Sequence, residues 1–99
     1  MDVNIQTVRF EADTKLLDYI NKKIEKLQTF YDKIIKVDVF LKLDNVAHNI
    51  KDKTAEINVQ APKHDFFAKA SSKSFEESFD AALDSMTNQV RKYKEKRTE

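Results

Sequence analysis

The sequence predicts an α+β fold of order β-α-β-β-β-α, a two-layer sandwich in which a four-stranded mixed sheet carries two helices on one face. Two long segments have apolar residues at three- and four-residue spacing, which is typical of amphipathic helices. Four shorter segments alternate apolar and polar residues, so each would be a strand with one buried face. Two helices can cover that face of the sheet while the other face stays in contact with water.

The four strands are predicted from their alternating patterns. Val3 and Ile5 mark the first strand, which is expected to break up between Thr7 and Glu11. The apolar positions of the other three strands are Ile35, Val37, Val39, Leu41 and Leu43; then Ala55, Ile57, Val59 and Ala61; and finally Phe66, Ala68 and Ala70. The polar segment from Asp44 to Lys53 is predicted to be a long hairpin connection. Pro62 ends the third strand because proline has no N–H to donate.

Both helices have predicted starts as well as apolar faces. Asp13 or Thr14 can cap the first helix, which is expected to run to about Phe30. Its apolar face is Leu16, Leu17, Ile20, Ile24 and Leu27. Ser74 and Glu77 have the capping-box spacing, in which each side chain accepts a hydrogen bond from the other residue's backbone N–H. The apolar face of this second helix is Phe75, Phe79, Ala82, Leu83, Met86, Val90 and Tyr93.

The order of these elements also predicts the topology. The first two strands are joined through a helix, so they should be parallel with a right-handed crossover, whereas the last three should form an antiparallel meander. At 99 residues the chain is long enough for one modest core, so we expect a single domain over residues 1–99.

Composition excludes several classes of function. The chain has no cysteine, which rules out disulfides, thiolate metal sites and a cysteine nucleophile, and no glycine, which rules out glycine-rich phosphate loops. No stretch approaches the roughly 20 apolar residues that span a bilayer, and the N-terminal residues do not resemble a signal peptide. We therefore expect a cytoplasmic protein with no membrane partner.

The charges of the second helix are strongly segregated, although the whole chain has a net charge of only +1. From residue 74 to 87 there are four acids and no base, namely Glu76, Glu77, Asp80 and Asp84. The following residues carry five bases, Arg91, Lys92, Lys94, Lys96 and Arg97. This arrangement suits the helix dipole, and it equally suits a phosphate-binding end. On the first helix, Lys15, Lys22, Lys23 and Lys26 form a second group of bases that could be an ordinary solvated face.

Residues for catalysis are not found together. His48 and His64 are predicted to lie in turns, where a single histidine is usually solvated, so we predict no metal site and no cofactor. Asp80 and Asp84 lie one helical turn apart, but the helix dipole explains acids at this position. We predict that the chain is not an enzyme and has no small-molecule substrate.

The wet face of the predicted sheet carries Phe40 and Phe67. Aromatic side chains on an exposed sheet can stack on single-stranded RNA, but two cross-strand aromatics that cover each other are the favoured interpretation. A further alternative is a protein-binding module that uses the acidic half of the second helix, Glu76 to Asp84, to dock a basic partner.

Four segments together resemble a known family. They are KKIEKLQTFYDKIIKVDVFLKL, AEINVQAP, FFAKASS and SFEESFDAALDSMTNQVRKYKEK. In this order and spacing the chain resembles the short form of the ribosome hibernation promoting factor family, also described as ribosome-associated inhibitor or light-repressed protein. The resemblance runs from Met1 to about Lys96 and implies the same β-α-β-β-β-α domain.

The resemblance implies a partner and a set of binding residues. The partner is the small ribosomal subunit, where such a domain lies over the messenger and transfer RNA sites near the decoding centre and blocks translation. It also implies a role in stress response and stationary phase. Basic residues of both helices bind ribosomal RNA in the family, and the matching positions here are Lys23, Lys26, Lys92, Lys94 and Lys96. Lys22 and Arg91 are added because they adjoin these positions.

The chain also departs from the family pattern. Relatives commonly have basic residues at the positions of Ser85 and Asn88, and a glycine usual after the first strand is replaced around Thr7. The sequence stops at Glu99, without the C-terminal dimerisation domain of long forms, so we expect ribosome dimerisation to require a separate factor. The sequence leaves open whether the basic residues of the two helices form one surface.

Overall fold

The computed structural model describes residues 1–45 and 51–97 and has the predicted order of elements. The strands are β1 (Asp2–Val8), β2 (Lys36–Asn45), β3 (Lys51–Ala61) and β4 (His64–Ser72), and the helices are α1 (Thr14–Phe30) and α2 (Phe75–Arg97). The predicted α+β class and the β-α-β-β-β-α order are confirmed.

The sheet has the strand order β1-β2-β3-β4. β1 is parallel to β2, with Ile5 opposite Val39, and the two later pairs are antiparallel, with Val39 opposite Ile57 and Ile57 opposite Ala68. The predicted parallel pair and the antiparallel meander are therefore both present. Because directly opposed residues share a face, this register places the apolar residues of all four strands on one side of the sheet.

Both helices bury their apolar faces on that side of the sheet. The fully buried side chains from the helices include Ile20, Ile24, Phe79, Met86 and Val90, and those from the strands include Val37, Val39, Leu41, Ile57 and Val59. Burying a side chain of this size stabilises the fold by roughly 1.5 to 3 kcal/mol each. The predicted one-sided, two-layer core is thus confirmed.

The helix starts are also as predicted, with one difference. Asp13 caps α1, since its Oδ1 accepts a hydrogen bond of 2.9 Å from the N–H of Leu16. Ser74 caps α2, since its Oγ accepts a hydrogen bond of 3.1 Å from the N–H of Glu77. The N–H of Ser74 donates to the hydroxyl of Ser72 at 3.3 Å. The hydroxyl of Ser72, and not the side chain of Glu77 as predicted, therefore accepts the hydrogen bond from the N–H of Ser74.

β1 ends at Val8, between Thr7 and Glu11 as predicted. The connection between β2 and β3, in contrast, is shorter than predicted. Asp44 and Lys53, predicted to lie in a long connection, belong to β2 and β3. Here the hydroxyl of Thr54 donates to Asp44 Oδ2 at 3.1 Å, so a polar side-chain contact joins β2 and β3 beyond the apolar core. Most of the predicted connection that remains, including His48, lies outside the described residues.

The start of β2 was predicted with the wrong residue facing the core. Ile35 fits the alternating pattern, yet its side chain is 48% exposed, and Ile34 is buried instead. Ile35 precedes the first ladder pair, although its backbone already bonds to Gln60 and Asp2. The alternation of side chains therefore begins one residue later than the apolar pattern suggests.

Two non-glycine residues among those described have left-handed backbone conformations. Arg9, with φ of 72°, follows β1, close to the position where the family resemblance led us to expect a glycine. Lys63, with φ of 68°, is the second residue of the two-residue turn between β3 and β4, after Pro62. A side chain in this region costs about 1 to 2 kcal/mol, which glycine avoids because it has no Cβ.

Replacing Lys63 by glycine should therefore stabilise the protein. We expect Lys63→Gly to raise the free energy of unfolding by about 0.5 to 1 kcal/mol, after allowance for the greater freedom of glycine in the unfolded chain. Asp65→Gly, in the adjacent extended strand, should lower it by a similar amount. Urea unfolding of both variants measures this difference, and a Lys63→Gly variant no more stable than the wild type would contradict the strain at Lys63.

Candidate nucleic-acid interface

Two contacts near opposite ends of the helices show that α1 and α2 lie side by side and run in the same direction. The hydroxyl of Tyr19, in the first half of α1, donates to Asp80 Oδ2 in the first half of α2 at 2.6 Å. The Nζ of Lys94, near the end of α2, donates to the carbonyl of Phe30 at the end of α1, at 2.7 Å. We call the surface along this line of contact the helix seam, from Tyr19 and Asp80 to Phe30 and Lys94.

The predicted basic residues of α1 lie along the helix seam. A helix turns about 100° per residue, so Tyr19, Lys23 and Lys26 lie within about 60° of one another around α1. Lys23 is half-buried, with its Nζ 3.7 Å from Asp80 Oδ1 and 5.2 Å from the centre of the Tyr19 ring. Lys22 and Lys26 are exposed on the outer side of the seam. Lys23 therefore takes part in the contact between the helices, while Lys22 and Lys26 face solvent.

The predicted basic residues of α2 lie on two different sides of that helix. Lys94 faces α1, and the exposed Arg91 lies about 60° from it around α2. Lys92 and Lys96 lie about 160° from Lys94, on the side that faces β4. The structure thus brings Arg91 and Lys94 alongside the lysines of α1 and separates Lys92 and Lys96 from them. The side chain of Arg97 lies outside the described residues.

Lys94 caps the C-terminal end of α1. Besides its hydrogen bond to the Phe30 carbonyl, its Nζ lies 4.5 Å from the centre of the Phe30 ring. α1 has no basic residue in its own last turn, and a cation near that end stabilises both the helix dipole and a backbone carbonyl without a partner inside the helix. From the sequence, Lys94 was expected either to complement the dipole of α2 or to bind ribosomal RNA. Its contacts with α1 were not predicted.

Asn88, where the family resemblance led us to expect a basic residue, holds Arg91. Arg91 Nη2 donates to Asn88 Oδ1 at 2.6 Å on the exposed surface of α2. Ser85, the other departure, contacts the side-chain amide of Gln89 at 3.3 Å. The neutral side chain at position 88 therefore orients the guanidinium instead of adding a further positive charge.

Asp80, at the other end of the helix seam, contacts two residues of α1. The hydrogen bond to Asp80, together with burial and the negative charges of Asp80 and Glu76, raises the pKa of Tyr19 to about 12. Asp80 also lies close to Lys23, so its carboxylate serves the contact between the helices. This arrangement accounts for Asp80 without a catalytic pair of carboxylates.

The two aromatic side chains on the wet face of the sheet do not cover each other, so that interpretation was wrong. Phe40 in β2 is opposite Glu56 and Phe67 in β4 is opposite Asn58, with β3 between them. Near Phe40, Glu56 forms ion pairs with Lys42 at 3.0 Å and with Lys69 at 3.9 Å. Phe67 is 49% exposed on this face of mixed charge.

His64 was predicted to lie in a turn, and this prediction was wrong. His64 is the first residue of β4 rather than a turn residue, and its ring stacks on Tyr93 of α2, with centroids 4.6 Å apart and planes at 23°. Its ring also meets Phe66 edge to face at 4.5 Å. The signal was present in the sequence, because His64 has the same parity along the strand as Phe66 and so faces the helices.

The family of the chain follows from a comparison with family models. The model described as Sigma 54 modulation protein / S30EA ribosomal protein matches residues 3–98. The chain belongs to this family. Among curated proteins, the ribosome hibernation promoting factor of Pseudomonas putida strain KT2440 is 29% identical over 96 residues, which is 97% of this chain and 89% of that protein. The protein of the same name from Escherichia coli K12 is 28% identical over 96 residues, 97% and 96% of the two chains.

Solved structures share the fold. A ribosomal subunit interface protein from Coxiella burnetii matches with a TM-score of 0.84 and 20% identity, over 95% of this chain and 98% of that one. The N-terminal domain of Protein Y from Thermus thermophilus matches with a TM-score of 0.81 and 23% identity, over 94% and 99%. The suspected family is confirmed, and so is the prediction that the chain is not an enzyme, since its relatives are ribosome hibernation promoting factors. Within the described residues, neither helix is long and apolar enough to cross a membrane.

The contact between Tyr19 and Asp80 should make stability depend on pH in the alkaline range. The folded-state pKa of about 12 lies above the ordinary value of 10.0, so the contact stabilises the fold fully below about pH 10 and is lost as pH rises towards 12. The stability advantage of the wild type over Tyr19→Phe should shrink across that window in urea unfolding experiments. In an Asp80→Asn background the same substitution should show little pH dependence. An advantage that stays constant up to pH 12 would contradict the contact.

Removing the ammonium of Lys94 should destabilise the fold, although this residue was predicted to bind RNA. Lys94→Met keeps an apolar side chain over Phe30 and a similar helix propensity, but it removes the bond to the Phe30 carbonyl. We expect a loss of about 1 kcal/mol in the free energy of unfolding. The matched control Lys96→Met, at an exposed position of the same helix, should change it by less than about 0.5 kcal/mol. Equal effects in chemical denaturation would rule out the capping role.

Proposed function

We propose that this protein is a ribosome hibernation factor, with residues 1–99 as a single ribosome-binding domain. In this proposal it binds the small ribosomal subunit near the decoding centre and blocks translation by occupying the messenger and transfer RNA sites. The observation that supports it is the exposed basic surface along the C-terminal half of the helix seam, formed by Lys22, Lys26 and Arg91. The family match and the names of the relatives identify the ribosome as the partner to test.

The charges favour phosphate as the ligand of this surface. Lys22 and Lys26 are exposed on α1, and Arg91 is exposed and held by Asn88 on α2. The parallel packing of the two helices and the spacing of these residues place the three cations on one side of the molecule. Phosphate contacts of this kind position a protein on RNA without reading its sequence. Lys23 and Lys94 contribute indirectly, because their contacts with Asp80 and Phe30 hold the two helices together.

The rival interpretation, docking of a basic protein through the acidic half of α2, receives less support. Asp80 lies at the centre of that half and is already engaged by Tyr19 and Lys23 of α1. The remaining acids, Glu76, Glu77 and Asp84, are exposed but suit the start of a helix. Neutralising these three acids should leave ribosome binding intact or strengthen it.

The test compares two sets of substitutions that remove the same charge. In the seam variant, Lys22, Lys26 and Arg91 become glutamine; in the control variant, the exposed Lys36, Lys69 and Lys73 become glutamine. The wild type and the control should suppress a cell-free translation reaction and co-sediment with isolated small subunits. The seam variant should lose both activities at moderate salt while its thermal unfolding is unchanged.

Salt dependence identifies the cause of that loss. Each lost phosphate contact should flatten the slope of log affinity against log salt by about 0.7 to 0.9, or about 2 to 3 for the seam variant. An unchanged slope would remove these residues from the RNA interface. No suppression of translation by the wild type, at several-fold excess over ribosomes, would refute the proposed function itself.

A further inference from the structure

A second basic surface lies on the other side of α2, away from the helix seam. There the end of α2 passes the start of β4 and leaves a recess of about 250 Å³. The recess is lined by His64, Phe66, Gln89, Lys92, Tyr93 and Lys96. Its lining thus combines three aromatic rings with two lysines and includes no acid. We call it the His64 recess.

The ring of His64 is a preformed stacking surface. One face packs on Tyr93 at 4.6 Å, and Phe66 supports the ring from the side at 4.5 Å, yet His64 as a residue is exposed. Since Tyr93 covers one face of the ring, a ligand has to stack on the opposite face. Because its neighbours already fix its orientation, the ring loses little conformational freedom when a further planar group stacks on it.

The two lysines supply charge beside this surface. Lys92 and Lys96 are both exposed and lie one helical turn apart, about 6 Å along the axis of α2. Gln89 links α2 to β4 beside these lysines, because its Nε2 donates a hydrogen bond of 2.8 Å to the carbonyl of Phe67. An aromatic surface flanked by cations is the arrangement by which proteins bind single-stranded nucleic acid.

We propose that the His64 recess binds one unpaired nucleotide of RNA, with its base stacked on His64 and the flanking phosphates bound by Lys92 and Lys96. The proposal rests on the proposed function, since it takes RNA as the partner, and adds that this side of α2 meets a single-stranded or bulged element. A base inside a duplex is excluded because its faces are covered by its neighbours in the stack.

Fluorescence with short RNA tests this assignment. The probe is an unstructured RNA oligonucleotide that contains a fluorescent adenine analogue, whose emission falls when its base stacks. The wild type should quench the probe and bind it more tightly than the same sequence in a duplex. His64→Ala should weaken binding by about 5- to 150-fold and abolish the quenching, while His64→Phe should retain both. Lys92→Gln with Lys96→Gln should flatten the salt slope by about 1.4, whereas His64→Ala should not change it.

The controls separate folding, the recess and the proposed function. Thermal unfolding of His64→Ala is compared with that of His64→Phe, which preserves the ring contacts, so a stacking defect is distinguished from a folding defect. Equal affinity and quenching for the wild type and His64→Ala would overturn the recess proposal, as would quenching that is equally strong with duplex. Co-sedimentation of the wild type with ribosomes is scored separately. If the wild type binds ribosomes but its affinity for the RNA probe does not depend on His64, the recess proposal is refuted and the proposed function is not.

Discussion

Burial of the single apolar face of the sheet is the constraint on which the rest of the structure depends. Both helices must lie on that face, and each follows a strand that runs in the same direction, β1 before α1 and β4 before α2. They therefore run parallel, and their C-terminal ends meet at the same end of the sheet. The bond from Lys94 to the Phe30 carbonyl is the direct consequence of that arrangement.

Parallel helices also determine how the charges are distributed. The acids at the start of α2 lie beside the first half of α1, where Asp80 engages Tyr19 and Lys23. The bases at the end of α2 lie beside the second half of α1, so cations of both helices share one end of the molecule. The net charge of +1 does not reveal this separation, because it adds up acids and bases without regard to where they lie in the structure. The sequence had left open whether the two groups of bases meet; Arg91 and Lys94 adjoin the α1 lysines, while Lys92 and Lys96 lie apart.

Features with a local physical cause could be predicted from the sequence. At the helix starts, the side chains of Asp13 and Ser74 each accept a hydrogen bond from a backbone N–H three residues later, and the strand faces depend on an alternation within each segment. Ile35 shows the limit of such patterns, because its side chain lies outside the register that the ladder imposes. The pairing of the strands, not the apolar pattern, determines where each strand begins and ends.

The roles of individual site residues depended on contacts between distant parts of the chain. Lys94 and Phe30 are 64 residues apart, and the sequence gives no local sign that one caps the helix of the other. His64 and Tyr93 likewise meet only because α2 packs across the start of β4. A basic cluster in the sequence is therefore a weak guide to which of its members are free to bind a ligand.

The orientation of the protein on the ribosome tests the account most directly. A single-particle cryo-electron microscopy map of the wild type bound to ribosomes would show which surface faces RNA. We expect density for the domain on the small subunit, with Lys22, Lys26 and Arg91 against ribosomal RNA phosphates and the wet face of the sheet turned away. A domain that contacts RNA through Phe40 and Phe67, or through the acidic half of α2, would contradict the account.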